Sequence, residues 1–152
     1  RPRGSSGSTR REREDKILDA LAGHVMRHKR LPALAGIAEI AGVSVATLVH
    51  YFQTRQGVCA AVLRRFGETG RRFYLPKTRE PAGPAPDSIR DVCSYVADAM
   101  AGPVHSIHEF GFVEGLQDGT LAREYLVEVL DATLDAVAGR IAEHARRGEL
   151  QV

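Results

Sequence analysis

Between Ile37 and Phe52 two short apolar runs meet across Ala41-Gly42-Val43-Ser44. Each run is far below the roughly 12–15 residues at which an isolated helix becomes even marginally stable in water. Both must therefore gain their stability by packing. Gly42 supplies the left-handed backbone that ends one helix, and the Ser44 hydroxyl is placed to cap the next, Val45 to Tyr51. Two short helices joined by such a turn cross steeply. The crossing needs a small residue, met by Ala38. It also needs apolar internal positions, met by Ile37, Ala41, Val43, Leu48 and Tyr51. The second run leaves a small or polar front edge of Val45, Ala46, Thr47 and His50. A helix entering the major groove needs such an edge, because bulk there holds it off the bases. The window predicts a helix-turn-helix that reads duplex DNA. The plainer reading of the same pattern is a structural corner.

The flanking sequence is helical throughout. Ile17, Leu18, Leu21, Ala22, Val25 and Met26 form one stripe of a 3.6-residue period, predicting a helix over residues 11–28. Glu12, Glu14 and Asp15 near its start, and Arg27, Lys29 and Arg30 near its end, complement the helix dipole. Pro32 breaks the pattern before the short run from Ala33 to Ala41. Thr54 is placed to cap a helix through residue 74, with Val58, Val62, Leu63 and Phe66 inward and Arg64, Arg65, Arg71 and Arg72 outward. Pro76, Pro81, Pro84 and Pro86 make residues 75–86 a loop or linker. Asp87 or Ser88 then caps a helix to Ala101, with Ile89, Val92, Cys93, Val96, Ala97 and Met100 as its stripe. Pro103 suits the first turn of a short helix ending near Gly115. The longest helix runs from Thr120 to about Arg147, with Leu121, Leu126, Val129, Leu130, Leu134, Val137 and Ile141 inward and Gly148 as its stop. No segment alternates with period two and no repeat is visible, so the expected fold class is all-α.

Charge separates the two ends. Residues 1–80 hold 16 Lys/Arg against 7 Asp/Glu, and residues 81–152 hold 5 against 12, although the whole chain is only +2. That asymmetry points one end at a polyanion and places a domain junction near or just before residues 75–86. Residues 1–10 combine Gly, Ser, Pro and Arg and read as a flexible basic tail. With 43% apolar residues the chain can bury a core. Its apolar runs are far shorter than the ~20 residues of a membrane span, and no apolar stretch follows the first residues as in a signal peptide. Cys59 and Cys93 lie within apolar helical patterns, so both are expected to be buried thiols of a cytoplasmic protein.

The window Ile37-Ala38-Glu39-Ile40-Ala41-Gly42-Val43-Ser44-Val45-Ala46-Thr47-Leu48-Val49-His50-Tyr51-Phe52, with Arg55 following, resembles the DNA-binding head of the tetracycline-repressor (TetR) family. The resemblance covers about residues 14–63, and Ile17-Leu18-Asp19-Ala20 fits the family's opening helix. It implies a head over residues 11–55, then a linking helix and a C-terminal helical ligand-binding and dimerisation domain over 56–152. It also implies roles. Ser44 caps the recognition helix; Val45, Ala46 and Thr47 face base edges; His50 and Tyr51 contact base or phosphate; Arg55 binds phosphate. Double-stranded operator DNA, an unidentified small-molecule effector and a second copy are the implied partners, with repression as the family's common mode. The chain departs from the family at Val49, where a tyrosine is usual, and at Pro32 to Gly36, where a threonine cap and polar residues are usual. Arg1, Arg3, Arg10, Arg11 and Arg13 are placed to compensate through the minor groove or backbone. The segment from Asp118 to Leu150 is similar to the family's long seventh helix, and the two dimerising helices that normally follow are not in this sequence. The chain is expected either to be truncated relative to its family or to dimerise differently.

An effector cavity would draw on Phe73, Tyr74, Tyr95, Met100, His105, His108, Phe110 and Phe112, residues whose helical spacing also suits plain core. His24/His28 and His105/His108 with Glu109 have spacings that suit a metal on one helix face, but no third ligand accompanies them, so no metal and no cofactor are expected. The sequence has no Gly-rich phosphate loop, nucleophile elbow or H-E-x-x-H, and Glu109 with Glu114 is the sole candidate acid pair. The expectation is a non-enzyme. Its alternative to a regulator is a non-catalytic helical adaptor that keeps the head only as a fold.

Overall fold

The computed structural model describes residues 6–102 and 104–151, and every regular element among them is helical. Residues 1–5 of the basic tail, with Arg1 and Arg3, and Pro103 lie outside the described residues. Helix α1 (Ser6–His28) starts earlier than the apolar stripe requires. Strong helix formers such as Arg10, Arg11, Glu12 and Glu14 extend it without needing a buried face. The part of the expected tail from Ser6 to Arg10 is therefore helical. Ile17, Leu18, Leu21 and Val25 are buried, whereas Met26 is exposed. Lys29, in the left-handed region at φ 65°, ends the helix, and its N–H donates to the Val25 carbonyl at 2.7 Å.

Helices α2 (Leu34–Ala41) and α3 (Val45–Phe52) follow, and the chain bends by 98° between them. Gly42 makes the turn at φ 66°, and Ser44 Oγ accepts from the Thr47 N–H at 3.1 Å. Thr54 caps α4 (Arg55–Thr69) by accepting from the Gly57 N–H at 3.0 Å. The helix then loosens into a π-helical turn, Gly70–Tyr74.

The proline-rich stretch is more ordered than its composition suggests. Pro76 opens the short helix α5 (Pro76–Arg79), and Pro86 sits in the first turn of α6 (Ala85–Ala101). Proline's fixed φ and missing N–H suit the start of a helix as well as the end of one. Pro84 therefore holds the N-cap position, in place of Asp87 or Ser88. Ser88 is buried instead, its Oγ accepting from the Ala82 N–H at 3.1 Å. On α6 only Val92 of the apolar stripe is fully buried; Cys93 and Met100 are exposed, so Cys93 is not the buried thiol its pattern suggested.

Helix α7 (His105–Gln117) is followed by α8 (Gly119–Tyr125), capped by Asp118, which accepts from the Thr120 and Leu121 N–H groups. A second π-helical turn, Leu126–Leu130, leads into α9 (Asp131–Arg146), which Gly148 stops at φ 76°. Leu121 is buried, but Leu126, Leu134 and Ile141 of the expected inward stripe are exposed. The buried Arg140 ties α9 to the α5–α6 corner by donating to the carbonyls of Lys77, Thr78 and Ser88 at 2.7–2.9 Å. The main buried cluster joins α1–α4 to Phe110, Leu121 and Tyr125, so α7 and α8 share one core with the N-terminal helices. Among the described residues no single helix is long and apolar enough to cross a membrane.

Candidate nucleic-acid interface

Helix α3 divides its residues sharply. Leu48 and Phe52 are buried under α1 and α4, while Val45, Ala46, Val49 and His50 are exposed. Thr47 is half-buried, and its hydroxyl lies 2.9 Å from Ser44 Oγ. The outward face is thus short, small and ringed by hydroxyl and imidazole groups. Small and polar edges of this kind are what a helix needs to enter a groove about 12 Å wide. Tyr51 packs its ring against the core and edge-on to His50 at 5.4 Å between centroids.

Arg10, near the start of α1, stands beside Tyr51. Its guanidinium carbon is 5.6 Å from the Tyr51 ring centroid, a cation–π distance. The early start of α1 is what brings this cation next to α3. Arg10, Arg11 and Arg13 make no ion pair among the described residues, so their charge remains available to an anion. Arg64 and Arg65, by contrast, are neutralised by Glu124 and by Asp15 with Asp19.

Arg55, the phosphate contact that the resemblance implies, is engaged within the protein. It forms a two-pronged pair with Glu114 of α7, at 2.8 Å on each arm, and donates to the carbonyls of Leu31 and Pro32. Its side chain is 28% exposed and that of Glu114 only 6%. Hydrogen bonding to Glu114 raises the guanidinium's already high pKa. Burial, with Glu114 nearby, pushes the Cys59 thiol up to about 12, so that sulfur is inert. Arg55 thus fastens the loop before α2 and the start of α4 to α7. Nothing local in the sequence pairs positions 59 residues apart. Glu109 turns instead to Lys29 at 3.0 Å and His105 at 3.2 Å, so Glu109 and Glu114 serve different cations and form no acid pair.

A cavity of about 110 Å³ lies between α4, α5, α6, α7, the two π-helical turns and the start of α9. Tyr74, Tyr95, Met100 and His108 line it. Of the other candidates, Phe110 is wholly buried in the main core, and Phe73 and Phe112 face outward. His105 is exposed and paired with Glu109. Helical spacing marks a face but not the space beside it, which is why these four do not join the cavity. The remaining wall is of ordinary residues such as Phe66, Val96, Ile107, Val129 and Ala132, which carry no chemical signal of their own. His24 and His28 stack at 4.4 Å, and no group of three His, Cys, Asp or Glu suited to a metal occurs among the described residues.

Among the described residues the fold and this face together define an all-helical protein with a steeply bent α2–α3 pair whose α3 front is exposed and a small cavity between α4 and the later helices. No protein-family model matches the chain, and none of the curated proteins does.

Proposed function

We propose that this protein is a TetR-like transcriptional regulator, working as a repressor. It binds operator DNA in the major groove through residues 45–51 as a cytoplasmic homodimer, and a small molecule in the C-terminal helical cavity releases it. The observation that carries this reading is the α2–α3 pair, bent by 98° at a left-handed Gly42, with a buried back and a small exposed front of Val45, Ala46, Thr47 and His50. In this reading Ser44 caps the helix and Tyr51 sets its hydroxyl on a phosphate. Arg10 supplies the neighbouring positive charge in place of Arg55, which is engaged with Glu114. The protein is not an enzyme and needs no cofactor. The Arg55–Glu114 bridge gives α7, which also walls the cavity, a direct grip on the segment holding α2 and α4.

The test is a binding titration of the purified protein against genomic DNA fragments at several salt concentrations. Sequence-selective binding that weakens steeply with salt is expected, since phosphate contacts release counterions. Absence of binding at low salt would overturn the regulator and leave the adaptor reading, in which exposed Val45 and Val49 meet a protein partner.

A further inference from the structure

The cavity's lining is apolar on most sides, and its charges are already closed. Among the described residues around it there is no lysine or arginine, and its single carboxylate, Glu128, is held by Arg71 at 2.8 Å. An anion entering would lose its water without meeting a free cation, and a cation would have to displace Arg71. The hydroxyls of Thr78 and Thr133 donate to the carbonyls of Leu75 and Val129, so their protons are engaged. His108 differs. Its Nδ1 lies 2.8 Å from the Tyr125 hydroxyl, while its Nε2 makes no hydrogen bond among the described residues. Burial, and then the charge on His105, hold this ring below its usual pKa, so it is neutral at pH 7. Two π-helical turns contribute to its wall, through Gly70 with Tyr74 and through Glu128 with Val129. Single π-turns inside α-helices are rare and concentrate at functional sites. The two turns are tied by Arg71, which donates to the Glu128 carboxylate at 2.8 Å and to its carbonyl oxygen at 3.3 Å, and α4 closes on the second turn where a Cβ on Gly67 would run into that carbonyl oxygen.

Resting on the regulator reading for its biological role, we propose that this cavity binds an uncharged, ring-sized apolar compound bearing one hydrogen-bonding group, which His108 Nε2 receives. The volume sets one ring as the upper limit: an apolar cavity of about 150 Å³ takes up benzene, whereas this one is about 110 Å³, so a ring's substituents must reach its rim at exposed Tyr74 and Tyr95. A hydroxyl is the best polar group. It can donate or accept, so it satisfies Nε2 in either ring tautomer.

Three probes of one skeleton test this: 4-methylbenzyl alcohol, 4-methylbenzoate and 4-methylbenzylamine, titrated calorimetrically at pH 7.5 into the full chain. The alcohol is expected to bind at least ten-fold more tightly than either ion. Ala132→Phe, which fills the cavity, should abolish its binding, and His108→Gln should weaken alcohol binding about five-fold more than it weakens p-xylene binding. Equal or tighter binding of the benzoate or the amine, or no binding of the alcohol, overturns the proposal. So does undiminished alcohol binding by a folded Ala132→Phe protein. The two readings fail separately. DNA binding without probe binding rejects the ligand class alone, whereas probe binding without DNA binding rejects the regulator and leaves the ligand class standing.

Discussion

Ser44 shows how much one side chain does for α3. Its Oγ satisfies the Thr47 N–H at the start of an eight-residue helix. Replacing such a cap by alanine costs about 1 kcal/mol. Ser44→Ala should lower stability by that amount in urea unfolding, and Ser44→Asp should restore most of it. Arg10 and Arg55 make an opposed pair of predictions. Arg10→Ala should leave stability unchanged within ~0.5 kcal/mol, and it should reduce the salt slope of DNA binding by about one ion. Arg55→Ala should instead destabilise the fold by about 3 kcal/mol, because it leaves Glu114 buried without its cation. A proteolysis or denaturation assay separates the two before any DNA is added. His108 carries a pH signature of its own. Its folded pKa is lowered from 6.5 by burial, so the unfolded chain protonates first as pH falls. Its contribution is complete above about 6.5 and is lost below, a dependence that follows from proton linkage. His108→Gln should flatten the fall in unfolding free energy between pH 6.5 and 5. Some slope will remain, because His24 is lowered as well, by burial and by the charges of His28 and Arg27.

At the scale of the element, glycines report how closely the helices approach. A Cβ at Gly57 would meet the Phe52 carbonyl oxygen at the α3–α4 corner, and backbone there has little freedom to yield. Gly57→Ala should cost about 2 kcal/mol or more through forced displacement of α3, and it should weaken DNA binding with it. Gly139, exposed in α9, has nothing within 4 Å of its would-be Cβ. Gly139→Ala should therefore be neutral or stabilise the protein by up to ~1 kcal/mol through helix propensity. A paired thermal-unfolding comparison checks both signs. Gly42 is constrained in another way: its space is open, but its φ of 66° disfavours any side chain.

The whole molecule leaves an apolar stripe uncovered. Leu134, Val137 and Ile141 recur at spacings of three and four along α9; Leu134 and Ile141 are exposed and Val137 is half-buried, and Phe112 and Leu116 on α7 are exposed as well. Such spacing forms the seam by which helices pair. In the regulator reading this face meets the second copy. Leu134→Glu, at a site 57% exposed, should leave the monomer folded and raise the dimer dissociation constant at least ten-fold in sedimentation equilibrium. Unaltered association would place the homodimer elsewhere.

The all-helical character and the bent α2–α3 pair were legible in the sequence because their signals are local. A 3.6-residue period, a glycine in a turn and a hydroxyl at a cap act within a few residues of one another. The cap at Thr54 and the stop at Gly148 were legible for the same reason. Three other features were decided by tertiary structure. Arg55 turned to Glu114 because folding brought a buried carboxylate to it from 59 residues away. Phe110 went to the core while Tyr95 and His108 faced a cavity, because packing between helices assigns faces that periodicity leaves equivalent. Leu134 stayed exposed because an apolar stripe specifies that a surface is to be covered, and only the arrangement of neighbours determines whether this chain covers it.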